Sequence, residues 1–285
     1  MGDFFASLVK SRSGLFGFVL LTLLVLVAIF APLLGLASPI RGDLLARLSP
    51  PTWTGPFNPG PHPLGTDEVG RDVLSRIVHG SRLTLMIAAT AVVLGGVVGT
   101  LLGIAAGFYG GIVDRVLMRL VDIQLALPLM LLALLVVAAL GPSFNNLIIV
   151  LALTSWIRYA RIIRGQVLSL REREFVQSAH AIGASTVRIM LRHILPNVLT
   201  PALVVATLEL ARIIIMDAAL SFLGLGVQPP SPSWGRMLAD GRVYISTAWW
   251  IVTFPGLTIL LTVLSVNLLG DWLRDYFDPK LRTSR

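Results

Sequence analysis

Three charged residues interrupt an otherwise apolar stretch in the second half of the chain. Glu209, Arg212 and Asp217 all lie between Pro201 and Phe222. On a helix of about 100° per residue, Glu209 and Arg212 lie about 60° apart and can pair, whereas Asp217 is about 140° from Arg212. Charges deep in a bilayer are costly and usually face a cavity or a partner. The three residues are predicted either to join two helices or to border a path for a solute carrying both signs of charge, and both interpretations remain open.

Four charged residues lie close together nearer the amino terminus: Asp67, Arg71, Asp72 and Arg76. Carboxylates beside arginines occur in acid–base sites, but at this spacing they more often form ion pairs along a helix. Thr66 is a suitable N-cap, because acidic residues follow it in the first turn. We therefore predict an amphipathic helix at the membrane surface rather than a catalytic site.

The chain lacks the residue patterns of nucleotide, metal and covalent-catalysis sites. It contains no cysteine, and its four histidines lie far apart without the spacing of zinc ligands. A phosphate-binding P-loop needs a lysine that follows a glycine, and neither Lys10 nor Lys280 does so. We therefore predict no catalytic residue, cofactor or metal in this chain.

The composition indicates a protein that crosses a membrane several times. Of 285 residues, 55% are hydrophobic and 13% are charged, and the mean hydropathy is +0.82. A soluble domain carries about 25% charged residues, and a membrane helix needs about 20 apolar residues. The first apolar run is longer than that of a signal peptide, so we interpret it as a membrane helix. We predict an all-α polytopic membrane protein with six transmembrane helices, at residues 15–34, 84–108, 120–140, 144–157, 201–222 and 249–270.

Glycine and proline are expected to shape these helices. The second helix has a glycine every four residues, at Gly95, Gly99, Gly103 and Gly107. This spacing favours close packing of another helix, and a flexible hinge is the alternative interpretation. A short loop with Asp114 is expected before the third helix, in which Pro128 predicts a kink. Thr200 and Pro201 are expected to begin the fifth helix.

The longest polar and basic run lies between two apolar blocks, at residues 173–197. Residues 175–182 suit a short helix that Gly183 can end by adopting a positive φ. Residues 186–194 suit a second helix, and Pro196 is expected to prevent its simple continuation. Two short helices joined at a glycine predict a compact knob.

This run resembles the EAA loop in the membrane subunits of ABC importers. The family pattern is Glu-Ala-Ala, then a glycine four positions on, and later an apolar residue, Leu and Pro. The matching positions here are Gln177, Ser178, Ala179, Gly183, Ile194, Leu195 and Pro196, with Gln and Ser in place of the first Glu and Ala. Three further segments, at residues 62–85, 220–235 and 267–282, closely resemble the C-type permease subunits of dipeptide, oligopeptide and nickel importers. The resemblance covers nearly the whole chain.

The resemblance implies a type I ABC importer permease whose loop at about 165–197 is the coupling helix for a separate ATPase. The residues expected to make that contact are Gln177, Ser178, Ala179, Gly183, Ala184, Arg188, Leu195 and Pro196. ATP and Mg would be bound by the ATPase, whose subunits would be either separate chains or one fused chain. A second permease subunit in a heterodimer, an extracytoplasmic binding protein and membrane lipid are the other implied partners. Peptides are the expected substrates, with nickel or another small solute as alternatives.

Two other functions use different features of the chain. An ion-driven secondary transporter would need the charges at residues 209–217 as an ion path. A membrane scaffold would transport nothing, which the large basic knob and the kinked helices do not favour. Dependence on ATP or on an ion gradient distinguishes the first of these from an ABC importer.

The distribution of basic residues predicts the topology. Of 23 lysines and arginines, fifteen lie on the side of the termini and knob, seven on the other side, and Arg212 lies in the membrane. Because cytoplasmic loops are enriched in basic residues, both termini and the knob are predicted to be cytoplasmic, in a bacterial inner membrane. The same flanking pattern argues against nucleic acid as a partner. We divide the chain into residues 1–83, with the first membrane helix and a periplasmic amphipathic helix, and residues 84–285, the permease core with five membrane helices.

Overall fold

The computed structural model describes residues 2–52 and 61–277, which form helices joined by turns. The α-helices are α1 Gly2–Lys10, α2 Arg12–Phe30, α3 Val73–Tyr109, α4 Gly111–Ala126, α5 Leu129–Leu140, α6 Phe144–Arg171, α7 Glu174–Ala181, α8 Thr186–Ile189, α9 Leu195–Phe222, α10 Trp234–Gly241 and α11 Trp250–Phe277. The predicted all-α fold is confirmed. The end of the carboxyl-terminal motif, residues 278–282, and residues 53–60 of the hydrophilic segment lie outside the described residues.

Within these residues, five helices are long and apolar enough to cross a membrane: Arg12–Leu33, Val73–Tyr109, Phe144–Arg171, Thr186–Phe222 and Trp250–Phe277. The pair formed by α4 and α5 passes the same test together but is bent by 90° at its break. With that pair counted as one span, the six predicted membrane segments are all present.

The break between α4 and α5 corrects the prediction for the third membrane segment. The residues expected in a short loop, including Asp114, belong to α4, which begins directly after Gly110. The chain then breaks at Leu127, whose backbone is extended at φ −89° and ψ 136°. The residue before a proline is displaced from the α region, so Pro128 ends one helix and begins another instead of bending a single one.

The glycines of α3 lie against α6. A Cβ atom built on Gly99 would lie 2.3 Å from the carbonyl oxygen of Trp156, and one on Gly103 would lie 2.7 Å from that of Ala160. The backbones therefore approach too closely for any other residue, as small residues allow in membrane helices. The interpretation of this glycine spacing as a packing surface is confirmed.

The start of α3 corrects the predicted amphipathic helix. Thr66 is not an N-cap: it lies in a buried turn, where its hydroxyl accepts from the Ser49 amide at 2.8 Å. The cap is Asp72, whose carboxylate accepts from the Ser75 amide at 2.7 Å. From Val73 the helix runs without interruption past residue 83, so the boundary drawn between residues 83 and 84 falls inside one helix.

The helix after the knob is longer than predicted, because neither proline ends or begins it. A π-helical turn at Met190–Ile194 joins α8 to α9, and Pro196 lies in the first turn of α9. Wider π turns commonly accommodate such irregularities within a continuous helix. Pro201 lies inside α9, so Thr200 is not its N-cap. The predicted second short helix and the fifth membrane helix are therefore one run, Thr186–Phe222.

The last membrane helix also extends beyond its predicted end near Gly270, since α11 runs to Phe277. Gly270 is a contact point rather than a terminus. A Cβ atom at Gly270 would lie 2.6 Å from the hydroxyl oxygen of Thr207 in α9. The glycine thus lets α11 pack against the helix that carries the membrane charges.

Candidate coupling loop and charged membrane site

The knob is shaped by a glycine at the end of α7, as predicted. Gly183 has φ +79°, its amide donates to the His180 carbonyl at 2.9 Å, and the Ala184 amide donates to the Ala179 carbonyl at 3.0 Å. These two bonds are those of a Schellman motif, which ends a helix with a left-handed residue. The chain therefore reverses sharply between α7 and α8.

One side of the knob packs against the membrane helices. Val176, Ile189 and Ile194 are buried in an apolar cluster with Ile163 and Val167 of α6. Burial of several large apolar side chains stabilises the knob on α6 by several kcal/mol, at about 1.5–3 kcal/mol for each. The knob is thus a folded extension of the membrane bundle.

The other side of the knob is open. Of the residues predicted to contact an ATPase, the exposed ones are Gln177, Ser178, Gly183, Arg188 and Pro196; Ala184 and Leu195 are half-buried and Ala179 is buried. Three exposed apolar residues, Ile182, Val187 and Leu191, accompany them. The sequence analysis did not single these out. An apolar surface with a basic rim suits docking to another protein.

Two contacts tie the knob and the end of α6, from which it emerges, to the end of α3. The guanidinium of Arg171, the last residue of α6, donates to the carbonyl of Gly107 at 3.2 Å, and the rings of Phe108 and His180 stack with their centroids 5.8 Å apart. At the base of the knob, the side-chain amide of Gln177 donates to the Glu172 carbonyl at 3.1 Å. The knob therefore contacts the end of α3 as well as leading into α9.

Halfway along α6 and α9, a buried carboxylate is held by two arginines. Glu209 is 1% exposed, and its Oε2 accepts from Nη2 of Arg212 at 2.7 Å, which confirms the predicted i, i+3 pair. Arg212 also donates to the carbonyl of Thr154 in α6 at 3.2 Å. The ion pair therefore joins two helices.

The second arginine is Arg158 of α6, which the sequence analysis did not single out. Its Nε lies 3.3 Å from Oε1 of Glu209, and its side chain is 51% exposed. No pattern along α6 could reveal this contact, because the partner lies on a different helix. The site holds two positive charges and one negative charge, with one guanidinium open to the surface of the chain.

Asp217 does not join this site. It is fully buried, and neither carboxylate oxygen makes a hydrogen bond to any part of the chain that the structure describes. It lies five residues beyond Arg212 in α9. In this conformation Arg212 and Asp217 therefore face different surroundings.

A third cluster of charges lies between residues 67 and 76. Asp67 accepts from the amides of Val69 and Arg71, from Nε of Arg71 at 2.7 Å, and from Arg76. Burial opposes ionisation of this carboxyl, but Arg76 and Arg71 outweigh it and hold the pKa of Asp67 below its usual value. The ion-pair interpretation is confirmed, in a turn before α3 rather than along a helix.

Neighbouring charges extend this cluster. The Glu68 carboxylate pairs with Nη2 of Arg71 at 2.8 Å, and Arg76 approaches Asp240 of α10 at 3.8 Å. Burial, together with the charge of Asp67, raises the pKa of Glu68. Nearby, the indole of Trp250 donates to the Thr66 carbonyl at 3.0 Å. The cluster therefore fixes the hydrophilic segment to α10 and α11. Among the residues described, no group of three or more potential ligands could hold a metal ion.

A bundle of membrane-spanning helices, a folded loop with an open apolar side and charges buried at mid-membrane define the membrane subunit of a transporter. Solved structures of the same fold include inward-facing MetNI methionine ABC transporter chains. One matches with a TM-score of 0.55 at 19% identity, over 71% of this chain and 97% of that one.

The comparisons with sequence families identify the class more closely. Residues 99–283 match the binding-protein-dependent transport system inner membrane component, and residues 1–51 match the N-terminal membrane domain of oligopeptide transport permease C. The di/tripeptide permease DppC of Pseudomonas aeruginosa is 45% identical, covering 99% of this chain and 93% of that protein. The dipeptide permease DppC of Escherichia coli is 44% identical, covering 96% and 91%. The chain belongs to the family of inner membrane components of binding-protein-dependent ABC transport systems.

Proposed function

We propose that the chain forms half of a translocation path for dipeptides or oligopeptides and couples it to a separate ATPase. The proposed substrate is inferred from the relatives, which are dipeptide and di/tripeptide permeases and match this chain over nearly their full length. The observation that carries the coupling is the uninterrupted run Thr186–Phe222. It joins the open side of the knob to the charged site, and from Val187 to Arg212 it spans roughly 37 Å at 1.5 Å per residue.

The knob is proposed as the surface that the ATPase moves. Its exposed residues Ile182, Val187 and Leu191 would enter a groove on that subunit, with Arg188 and Gln177 at the rim. Closure of two ATPase subunits around ATP and Mg would then displace α8 and α9 as a rigid element, as in alternating access. This requires the knob and both termini on the cytoplasmic side, in agreement with the distribution of basic residues.

The path itself is proposed to lie beside α9, between this chain and a second permease subunit. Glu209, Arg212 and Asp217 are its candidate charged residues in this chain. Arg212 is the best candidate of the three, because its side chain is 21% exposed, whereas the carboxylates of Glu209 and Asp217 are buried. An extracytoplasmic binding protein would deliver the peptide on the opposite face.

Uptake by a reconstituted complex tests this function. Proteoliposomes would contain this chain, its companion permease and the ATPase, with binding protein outside and labelled alanyl-alanine as the probe. We expect uptake that needs ATP and is unaffected by collapse of ion gradients. Uptake driven by a gradient without ATP would support a secondary transporter. ATP-driven uptake of nickel chelates, but not of the peptide, would contradict the substrate while leaving the coupling intact.

A further inference from the structure

Arg158 places a guanidinium halfway along α6, on the outer surface of the chain. It lies fourteen residues from the Phe144 end of α6, and Glu209 lies thirteen residues from the Phe222 end of α9. Both distances correspond to roughly 20 Å of helix, which is deep within a bilayer. A half-exposed arginine at that depth cannot face lipid without a large penalty, so this surface faces a water-filled cavity or a partner.

The donors of Arg158 are only partly used. Its Nε faces Glu209, and within the described chain its two terminal nitrogens have no hydrogen-bond partner. Arg212 directs its Nε and Nη2 at Glu209 and at the Thr154 carbonyl, which leaves Nη1 as its one terminal nitrogen without a partner in the described chain. The free edge of Arg158 is therefore a fork of N–H groups, the geometry that binds a carboxylate through two parallel hydrogen bonds.

The sign of the accessible charge selects the ligand. Glu209 is sealed behind the two arginines, so an ammonium group cannot reach it, whereas the Arg158 fork is open. The site carries one surplus positive charge that only an anion neutralises. Ile162 of α6 lies one helical turn from Arg158, and Leu208 of α9 lies one turn from Arg212; both are exposed apolar residues. An apolar surface beside the arginines suits a ligand whose anionic group is attached to an otherwise apolar body.

We propose that Arg158, supported by Glu209 and Arg212, binds the carboxylate of the peptide as it crosses the membrane. The proposal rests on the proposed function and adds the group of the substrate that is recognised. Glu209 holds the Arg158 side chain toward the path and lowers the cost of its burial, and Arg212 fixes Glu209. A fixed carboxylate of the companion permease is the competing source, and it is less suited because the Arg158 fork must be free before each transport cycle.

A charge-rescue experiment tests the proposal, since the chain contains no cysteine of its own. Arg158→Cys is assembled with cysteine-free companion subunits, and uptake of labelled alanyl-alanine is measured before and after thiol modification. Loss of a charged hydrogen-bond donor is expected to lower uptake about tenfold or more. Modification with 2-aminoethyl methanethiosulfonate, which returns a positive charge without the guanidinium fork, should restore part of it, and the 2-sulfonatoethyl reagent should not.

Arg161→Cys is the matched control, because Arg161 lies one turn away in α6, is 53% exposed and pairs with Asp122 instead. Its uptake should stay within about twofold of the unmodified chain, as for other exposed ion pairs. Wild-type uptake in Arg158→Cys, or equal rescue by both reagents, overturns the proposal. Loss of the companion permease from purified Arg158→Cys complex also overturns it, in favour of a carboxylate on that subunit. Absence of ATP-driven uptake in the unmodified complex contradicts the proposed function itself.

Discussion

Two sites in this chain have the same composition and opposite exposure. In each, one buried carboxylate is held by two arginines: Asp67 by Arg71 and Arg76, and Glu209 by Arg158 and Arg212. At the first site the arginines are 11% and 3% exposed, and at the second they are 51% and 21% exposed. The first is a closed junction and the second is an open surface.

The difference lies in what else satisfies the charges. Around Asp67, backbone amides and two further carboxylates, Glu68 and Asp240, engage most of the remaining donors and acceptors, while Nε of Arg76 and Oε2 of Glu68 are buried without a hydrogen-bond partner. Around Glu209 the only other acceptor among the described residues is the carbonyl of Thr154. A buried network in which most groups are paired rigidifies a fold, whereas an exposed charge with unused donors is available to a ligand. The same ion-pair motif is thus expected to serve stability in one place and transport in the other.

The largest expected effect is on stability, from Asp67→Ala. Removal of this carboxylate leaves the buried Arg76 with only the more distant carboxylate of Asp240, at a cost of about 3–5 kcal/mol. Glu209→Ala is the matched change and should cost less, about 1–2 kcal/mol, because Arg158 can turn to water or to a ligand. The midpoint of thermal unfolding in detergent compares them. A larger loss in Glu209→Ala would break the comparison.

The second expected effect is on activity, from Arg212→Leu and Asp217→Asn. Uptake per assembled complex should fall about tenfold in Arg212→Leu, because Arg212 orders the open site. Asp217→Asn should also lower uptake more than assembly if Asp217 borders the path in another conformation. Quantitative blots of the purified complex give the amount of assembly. Failure of either variant to assemble would assign that residue to structure alone.

The closed junction also predicts a dependence of stability on pH. Because the folded-state pKa of Asp67 is lowered, its contribution to stability is complete above the unfolded-state pKa and is lost as the pH falls through the folded-state pKa. Thermal midpoints measured between about pH 7 and about pH 3 should therefore decline more steeply in the unmodified chain than in Asp67→Asn. Parallel curves for the two proteins would contradict the stabilising role.

The smallest expected effect comes from Glu68→Gln. The pKa of Glu68 is raised on folding, so its contribution has the opposite sign: stability falls as the pH rises through the unfolded-state and then the folded-state pKa. The neutral amide should raise the thermal midpoint slightly near pH 7 or leave it unchanged, since the lost pair with Arg71 is worth about 0–1 kcal/mol. A marked drop would place Glu68 among the essential members of the junction.

Local features were predictable from the sequence, and contacts between distant segments were not. The pair Glu209 and Arg212 follows from one helical turn, and the end of α7 follows from Gly183, because each depends on neighbours in the chain. Arg158 was missed because its partner lies on another helix. The residues of the closed junction were predicted to lie on a helix, because charge spacing alone cannot distinguish a helix face from a turn. Here a tryptophan that is distant in the sequence holds the turn in place.

Prolines were the least predictable signals. Pro128 was expected to kink a helix and instead divides it, whereas Pro196 was expected to interrupt a helix that continues through a π turn. The outcome depends on whether surrounding helices support the missing hydrogen bond, which a single sequence does not contain. The continuous run from knob to charged site, on which the coupling proposal rests, was hidden for this reason.

The ratio of peptide transported to ATP hydrolysed tests the coupling most directly, with Gly183 as the point of change. Gly183 has φ +79° and open space around it, so Gly183→Val strains only the backbone, while Gly183→Asn tolerates the same conformation. In the reconstituted complex we expect Gly183→Val to lower the ratio about fivefold or more, and Gly183→Asn to keep it within about twofold, since left-handed strain of roughly 1–2 kcal/mol reshapes the knob. An unchanged ratio in Gly183→Val, with normal ATP hydrolysis, would mean that the knob is only a linker.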